Sequence, residues 1–237
     1  MSIGVLFLHG FSGGPYEVEP LATYIQAHGA YETVTPTLSG HGEALLMKGY
    51  KAKDWLMEAE LAYRQLAKKV DEVIVVGFSM GGLLAMYLAI RYPVKKLILL
   101  SVAAKYVSPS QLVRDLKGVA ADAIHGAVNE NKLFQHYLYK LRNVPFSATV
   151  EFMKVVRTVD PYMENITCPV FIVQGKQDGI VPSQTAQYVF SRLTVKEKDI
   201  YYSETGKHLI CYSDDCEEWF ACALKFIQQK QSQKFQM

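Results

Sequence analysis

Short runs of β-branched and aliphatic residues alternate along this chain with longer stretches in which apolar positions recur every three or four residues. The runs Gly4–Leu8, Tyr31–Thr35, Glu72–Val76, Lys96–Leu100, Val170–Gln174 and Asp199–Tyr202 predict strands. Val73-Ile74-Val75-Val76 is apolar throughout, the pattern of a strand covered on both faces. Helical spacing predicts helices over Pro20–His28, Asp54–Val70, Gly82–Tyr92, Ser183–Ser191 and Asp214–Gln228. The last of these aligns Cys216, Trp219, Phe220, Ala223, Leu224 and Ile227 on one face, with Asp214 placed to cap it and Glu217 in the capping-box position. Such alternation predicts an α/β fold, a mostly parallel central sheet flanked by helices.

One stretch breaks this rhythm. Between Leu100 and Val170 lie about seventy residues without a strand pattern. Ser110–Val119, Ala120–Glu130, Lys132–Leu141 and Ser147–Thr158 read instead as short helices, punctuated by Gly118, Gly126, Asn143 and Pro145. The organisation expected is a single domain. Its core comprises 1–104 and 166–237, and residues 105–165 form a helical cap inserted over the carboxyl ends of the strands.

Composition narrows the function classes. The chain has 237 residues, half of them hydrophobic and a fifth charged, which suits a globular protein with a sizeable core. A net charge of +2 without a block of like charges gives no electrostatic footprint for nucleic acid. Gly4–Leu8 lacks the basic flank and length of a signal segment, and no run approaches the ~20 apolar residues of a membrane span. The four cysteines, Cys168, Cys211, Cys216 and Cys222, lack paired metal-ligand spacing. These features together lead us to expect a cytoplasmic protein with reduced thiols and no stable membrane insertion.

The chemistry starts at Gly77-Phe78-Ser79-Met80-Gly81, which joins the strand run to the helix pattern from Gly82. A serine on so sharp a strand-to-helix turn is held above the sheet edge, with the helix N-terminus beneath it. Its hydroxyl needs a base, normally a histidine oriented by a carboxylate. Of six histidines, His208 lies in the loop after the last strand, where parallel sheets place their chemistry. Asp178, in Gly175-Lys176-Gln177-Asp178-Gly179-Ile180-Val181-Pro182, closes another strand and belongs to the same layer. Asp160 is the rival acid but falls in the helical insertion, and Asp199 begins a strand at the opposite edge. Two N–H groups are needed for a developing oxyanion. They fall to Met80, after the serine, and Phe11, in the glycine-rich loop Leu8-His9-Gly10-Phe11-Ser12-Gly13-Gly14. That loop matches neither phosphate-binding glycine pattern.

His9-Gly10-Phe11, Ser39-Gly40-His41-Gly42, Gly77–Gly82, Gly175–Pro182 and Gly206–His208, in this order, resemble the α/β-hydrolase superfamily. The nearest likeness is to its compact bacterial carboxylesterase and monoacylglycerol-lipase-like branch. The resemblance runs from residue 3 to about 228, without the two leading strands of larger members. It implies a serine carboxylesterase acting on short- or medium-chain esters, monoacylglycerols or aryl esters, through Ser79, His208 and Asp178. No metal or organic cofactor is implied, and the partner is a small-molecule ester. Phe11, His41 and Ile180 are expected to contact substrate, and His9 to fix the oxyanion loop. Lys207, beside His208, departs from the pattern and is expected to face solvent. The same residues would serve thioester hydrolysis, acyl transfer or, with catalysis lost, ligand binding. Dimerisation is left open.

Overall fold

The computed structural model describes residues 1–104 and 144–229, in which six strands alternate with six α-helices. The strands are β1 (Ile3–Leu8), β2 (Tyr31–Val34), β3 (Glu72–Phe78), β4 (Val94–Leu100), β5 (Val170–Gly175) and β6 (Lys198–Ser203). They form one sheet in the order β2-β1-β3-β4-β5-β6, with every neighbouring pair parallel. All six expected strands are present. Their burial follows their composition. Val73–Phe78 and Leu97–Leu100 are buried throughout, whereas the edge strands β2 and β6 carry Glu32, Lys198 and Asp199 and remain partly exposed.

The helices are α1 (Glu19–Ala27), α2 (Ala52–Ala67), α3 (Met80–Arg91), α4 (Phe146–Val159), α5 (Gln184–Arg192) and α6 (Cys216–Gln228). They cover the sheet in groups: α1 packs with α6, and α2, α3 and α4 pack with one another. α3 is the most enclosed. Met80 to Met86 are all buried, so this helix has almost no polar face. The helix expected at Ser147–Thr158 is α4, which sets Phe152, Val155, Val156 and Val159 into the core. The helices expected at Ser110–Val119, Ala120–Glu130 and Lys132–Leu141 lie outside the described residues.

Two local expectations change. α3 begins at Met80 rather than Gly82, so the helix starts directly after Ser79. α6 begins at Cys216 with Asp215, not Asp214, at its cap position, and no side chain caps it. Asp215 is drawn away by the preceding loop, whose donors engage its carboxylate.

Strand order also fixes where chemistry can happen. The chain runs outward from β1 to β2 and then crosses back to β3 on the other side of β1. The loops leaving β1 and β3 therefore diverge at one switch point. The β1–β3 register ends at Leu8 opposite Gly77, which sets His9–Gly14 beside Ser79. Among the described residues the non-glycine positions with positive φ are Ser12 (62°), Ser79 (52°) and Ser101 (43°). They follow β1, β3 and β4, so backbone strain gathers along one edge of the sheet.

Candidate active site

Ser79 occupies its turn with φ 52° and ψ −114°, and its own N–H donates to the Leu100 carbonyl at 2.9 Å. The turn closes only because its glycines lack side chains. A Cβ on Gly77 would sit 2.2 Å from the Gly81 carbonyl oxygen, and one on Gly81 would sit 2.0 Å from that of Leu8. Ser79 is 7% exposed, at the base of the layer formed by the strand ends.

The loop after β6 brings His208 to this serine. His208 Nε2 lies 3.2 Å from Ser79 Oγ, and Nδ1 lies 2.9 Å from Asp178 Oδ2. The imidazole thus joins hydroxyl and carboxylate, and both the His208 and Asp178 side chains are essentially sealed from solvent. With Nδ1 donating to the carboxylate, Nε2 is left to accept from the hydroxyl. Asp178 Oδ1 accepts the N–H groups of Ile180 and Val181 at 2.8 and 2.9 Å, so a buried charge is matched by donors from its own turn. Asp160 is engaged elsewhere: its carboxylate accepts from Tyr188 at 2.5 Å and its carbonyl from Arg192 at 3.3 Å. Lys207 is exposed, as expected.

The loops that carry Asp178 and His208 are laced together. Lys176 N–H donates to the Ser203 carbonyl at 2.9 Å and Gln177 N–H to that of Gly206 at 3.0 Å. Two residues that sequence reasoning missed complete this unit. Asp215 accepts from Ser203 Oγ (2.6 Å), Glu204 N–H (3.0 Å) and Thr205 Oγ1 (3.0 Å), tying down the segment that leads to His208. Burial pushes the Asp215 carboxyl up, but the Ser203, Ser213 and Thr205 hydrogen bonds outweigh this and hold it below the usual aspartate range. Gln174, fully buried at the end of β5, aims its amide at Asp178 Oδ2 (3.3 Å) and at the Gly175 and Val181 carbonyls (3.2 and 3.3 Å). A polar residue ending the run Val170-Phe171-Ile172-Val173 was the signal available for it.

The loop after β1 is held from beneath. His9 accepts the Leu38 N–H at Nε2 (3.0 Å) and its Nδ1 lies 2.9 Å from the Gly10 carbonyl, so the proton resides on Nδ1. Glu17, also unanticipated, is buried and accepts the Gly10 N–H at 2.7 Å. The Phe11 N–H has no backbone acceptor among the described residues, and Met80, opening α3, presents a first-turn N–H without an intrahelical partner. Gly42 N–H donates to the Gly13 carbonyl at 2.8 Å, which brings the His41 turn against this loop. Phe11 stacks on Phe152 (centroids 5.2 Å) and meets Trp55 and His41 edge-on at 5.9 and 6.1 Å, forming an aromatic wall. Ile180 is buried within the Asp178 turn.

The four cysteines are unpaired, and burial pushes Cys168 up to about 12 and raises Cys211 and Cys216, which keeps these three as thiols at neutral pH. Among the described residues no group of three His, Cys, Asp or Glu side chains could hold a metal. Nor is any described helix long and apolar enough to cross a membrane.

Comparison with known proteins agrees with this architecture. Residues 3–215 match the family model Hydrolase_4, described as serine aminopeptidase S33. The thermostable monoacylglycerol lipase of Bacillus sp. (strain H-257) is 26% identical over 216 residues, covering 87% of this chain and 83% of the relative. A carboxylesterase of Bacillus subtilis (strain 168) is 21% identical over 210 residues, covering 87% and 84%. A solved structure from work on LipS and LipT, two metagenome-derived lipolytic enzymes, superposes with a TM-score of 0.77 at 24% identity, covering 96% of this chain and 94% of that one. The parallel sheet with its flanking helices, the family match over residues 3–215 and these likenesses lead to one assignment: the chain belongs to the Hydrolase_4 (serine aminopeptidase S33) family and is a hydrolase of the α/β-hydrolase fold.

Proposed function

We propose that this protein is a serine carboxylesterase that hydrolyses short- to medium-chain esters, monoacylglycerols and aryl esters among them. The observation that carries the reading is the His208 imidazole set between Ser79 Oγ and the Asp178 carboxylate, with the serine on a left-handed turn. In this reading Ser79 Oγ attacks the ester carbonyl as its proton passes to His208 Nε2. Asp178 stabilises the imidazolium through Nδ1 and keeps its negative charge. The oxyanion is met by the Phe11 and Met80 N–H groups. The imidazolium then protonates the departing alkoxide, leaving an acyl-Ser79 ester. Water repeats the sequence through the same histidine, releasing the acid and restoring the hydroxyl. Phe11, His41 and Ile180 contact the acyl portion, and residues 105–165 act as the cap that sets its length. The names of the monoacylglycerol lipase and carboxylesterase relatives support an ester over an amide.

Hydrolysis of p-nitrophenyl acetate, butyrate and octanoate by wild type and Ser79→Ala tests this. The expected loss in the variant is roughly 10⁴-fold or more in kcat. Equal rates in the two proteins would sink the proposal. The family's aminopeptidase description gives the comparison substrate, an aminoacyl p-nitroanilide. Turnover of that amide in preference to all three esters would replace the esterase reading with a peptidase one.

A further inference from the structure

Phe11 sits in a turn that its own residues do not favour. The Gly13 N–H donates to the Gly10 carbonyl at 3.3 Å, which closes a turn over residues 10–13 with Phe11 and Ser12 at its centre. Ser12, in the third position, has a φ of 62°, a conformation that such turns ordinarily reserve for glycine or asparagine. Its hydroxyl is buried and finds no hydrogen-bond partner among the described residues, so the side chain gives the turn no bond of its own. A strained turn of this kind keeps its shape only where its surroundings hold it.

Glu17 grips both ends of the turn. At one end its Oε2 accepts the Gly10 N–H at 2.7 Å. At the other, the same carboxyl fills the space beside Gly13, where a Cβ would meet Oε2 at 2.0 Å and Cδ at 2.1 Å. Glu17 is delivered there by the 3-10 turn Pro15–Glu17, and its N–H donates to the Gly14 carbonyl at 3.0 Å. The outer end of this arrangement is Tyr212. Its hydroxyl donates to the carbonyl of Tyr16, the residue before Glu17, at 2.6 Å. Tyr212 ends the 3-10 turn Ile210–Tyr212, shortly after His208, and the Ile210 N–H ties that turn back to the His208 carbonyl at 2.8 Å. The segment that carries His208 is thereby braced against the segment that carries Phe11.

We propose that Glu17 and Tyr212 are positioning residues for the Phe11 N–H: the Glu17 carboxyl fixes the turn, and the Tyr212 hydroxyl fixes Glu17's own segment relative to His208. The proposal rests on the esterase reading, in which the Phe11 N–H meets the oxyanion. Such a donor acts through its placement, and a displacement of ~1 Å can cost about 100-fold in rate. Neither side chain needs to touch the ester. What counts at position 17 is an acceptor of the right length, since the Gly10 N–H is buried and loses its acceptor when the carboxyl is removed.

Steady-state kinetics on p-nitrophenyl butyrate, together with inhibition by an alkyl trifluoromethyl ketone, tests this. On the ketone, Ser79 Oγ bonds to the carbonyl carbon, the C=O π pair moves to oxygen and the Ser79 proton passes to His208, so the adduct presents an oxyanion. Glu17→Leu is expected to lose on the order of 100-fold in kcat with KM held, and a similar factor in affinity for the ketone. Glu17→Gln keeps a carbonyl oxygen for the Gly10 N–H and is expected to recover kcat to within about threefold of wild type. Tyr212→Phe removes only a hydroxyl at an exposed position. It is expected to lose about fivefold in kcat and in ketone affinity, the usual contribution of one hydrogen bond. A Glu17→Gln enzyme as slow as Glu17→Leu overturns the proposal, as does a change confined to KM in either Glu17→Leu or Tyr212→Phe. Wild-type kcat and ketone affinity in Tyr212→Phe overturn it even where Glu17→Leu does not fold. A wild type no faster than Ser79→Ala removes the esterase reading itself, whereas Ser79-dependent hydrolysis indifferent to Glu17 and Tyr212 removes only the positioning roles.

Discussion

Asp178 and Gln174 show how much of the proposed chemistry depends on groups behind the reacting atoms. Asp178 accepts two backbone N–H groups at one oxygen and His208 at the other, and that second oxygen is also the one Gln174 addresses. Asp178→Asn presents an amide where His208 needs an acceptor and favours the wrong imidazole tautomer. A loss of ~10⁴ in kcat is expected, by analogy with the serine-protease aspartate. Gln174→Leu keeps the carboxylate but removes its buried donor and one clasp on the acid turn. About a 10-fold loss in kcat with KM unchanged is expected, since the effect is on positioning rather than substrate contact. Steady-state kinetics on a p-nitrophenyl ester separates the cases: a Gln174→Leu enzyme altered in KM alone would deny Gln174 this role. Asp178 was legible because it sits in a glycine-rich turn at a strand end. Gln174 was not, because a glutamine ending an apolar strand looks like the start of a loop until its burial is known.

At the scale of elements, the His208 loop is held by a carboxylate that the sequence pattern assigned to a helix. Asp214 and Glu217 read as cap and capping box, yet α6 starts later. Asp215 spends its oxygens on Ser203, Glu204 and Thr205. Capping and loop-tethering compete for the same short acidic side chain, and the loop offers three donors in good geometry where the helix end offers fewer. The pH dependence follows from the lowered Asp215 value. A carboxyl whose folded pKa lies below its unfolded one stabilises the fold above the ordinary aspartate range, near 4, and loses that contribution as pH falls through the folded value. Asp215→Asn should therefore unfold at lower temperature than wild type at pH 7, by on the order of 1 kcal/mol of stability. The gap should narrow as the pH falls below the ordinary aspartate range, near 4. Thermal melts across this range check it; a gap independent of pH would show that the carboxylate charge is not what holds the loop. Strand positions were easier to read, because buried parallel strands announce themselves as apolar runs, whereas helix ends depend on such local competition.

For the whole molecule, topology does the assembling. Ser79, Asp178 and His208 are separated by long stretches of chain but follow β3, β5 and β6, whose carboxyl ends share one edge. The β1 loop joins them because the strand order reverses beside it. That much was legible from the strand–helix alternation and the order of the motifs. Of the supports, His9 was legible as the residue that fixes the β1 loop, but Glu17, Gln174 and Asp215 were not: they act through partners as far as 12 residues away, which periodicity does not record. The helices expected between Ser110 and Leu141 fall outside the described residues, so the cap over 105–165 stays a proposal, as does the acyl length it would select. The proposed ester hydrolysis turns on Ser79 as its nucleophile. The most direct measurement treats the protein with diethyl p-nitrophenyl phosphate, which traps an activated serine as a stable phosphoryl ester, and locates the adduct by peptide mass mapping while following p-nitrophenyl butyrate hydrolysis. One diethylphosphoryl group per chain is expected, on Ser79, formed in step with the loss of activity. An adduct on another residue, or full ester hydrolysis after Ser79 is modified, would contradict it.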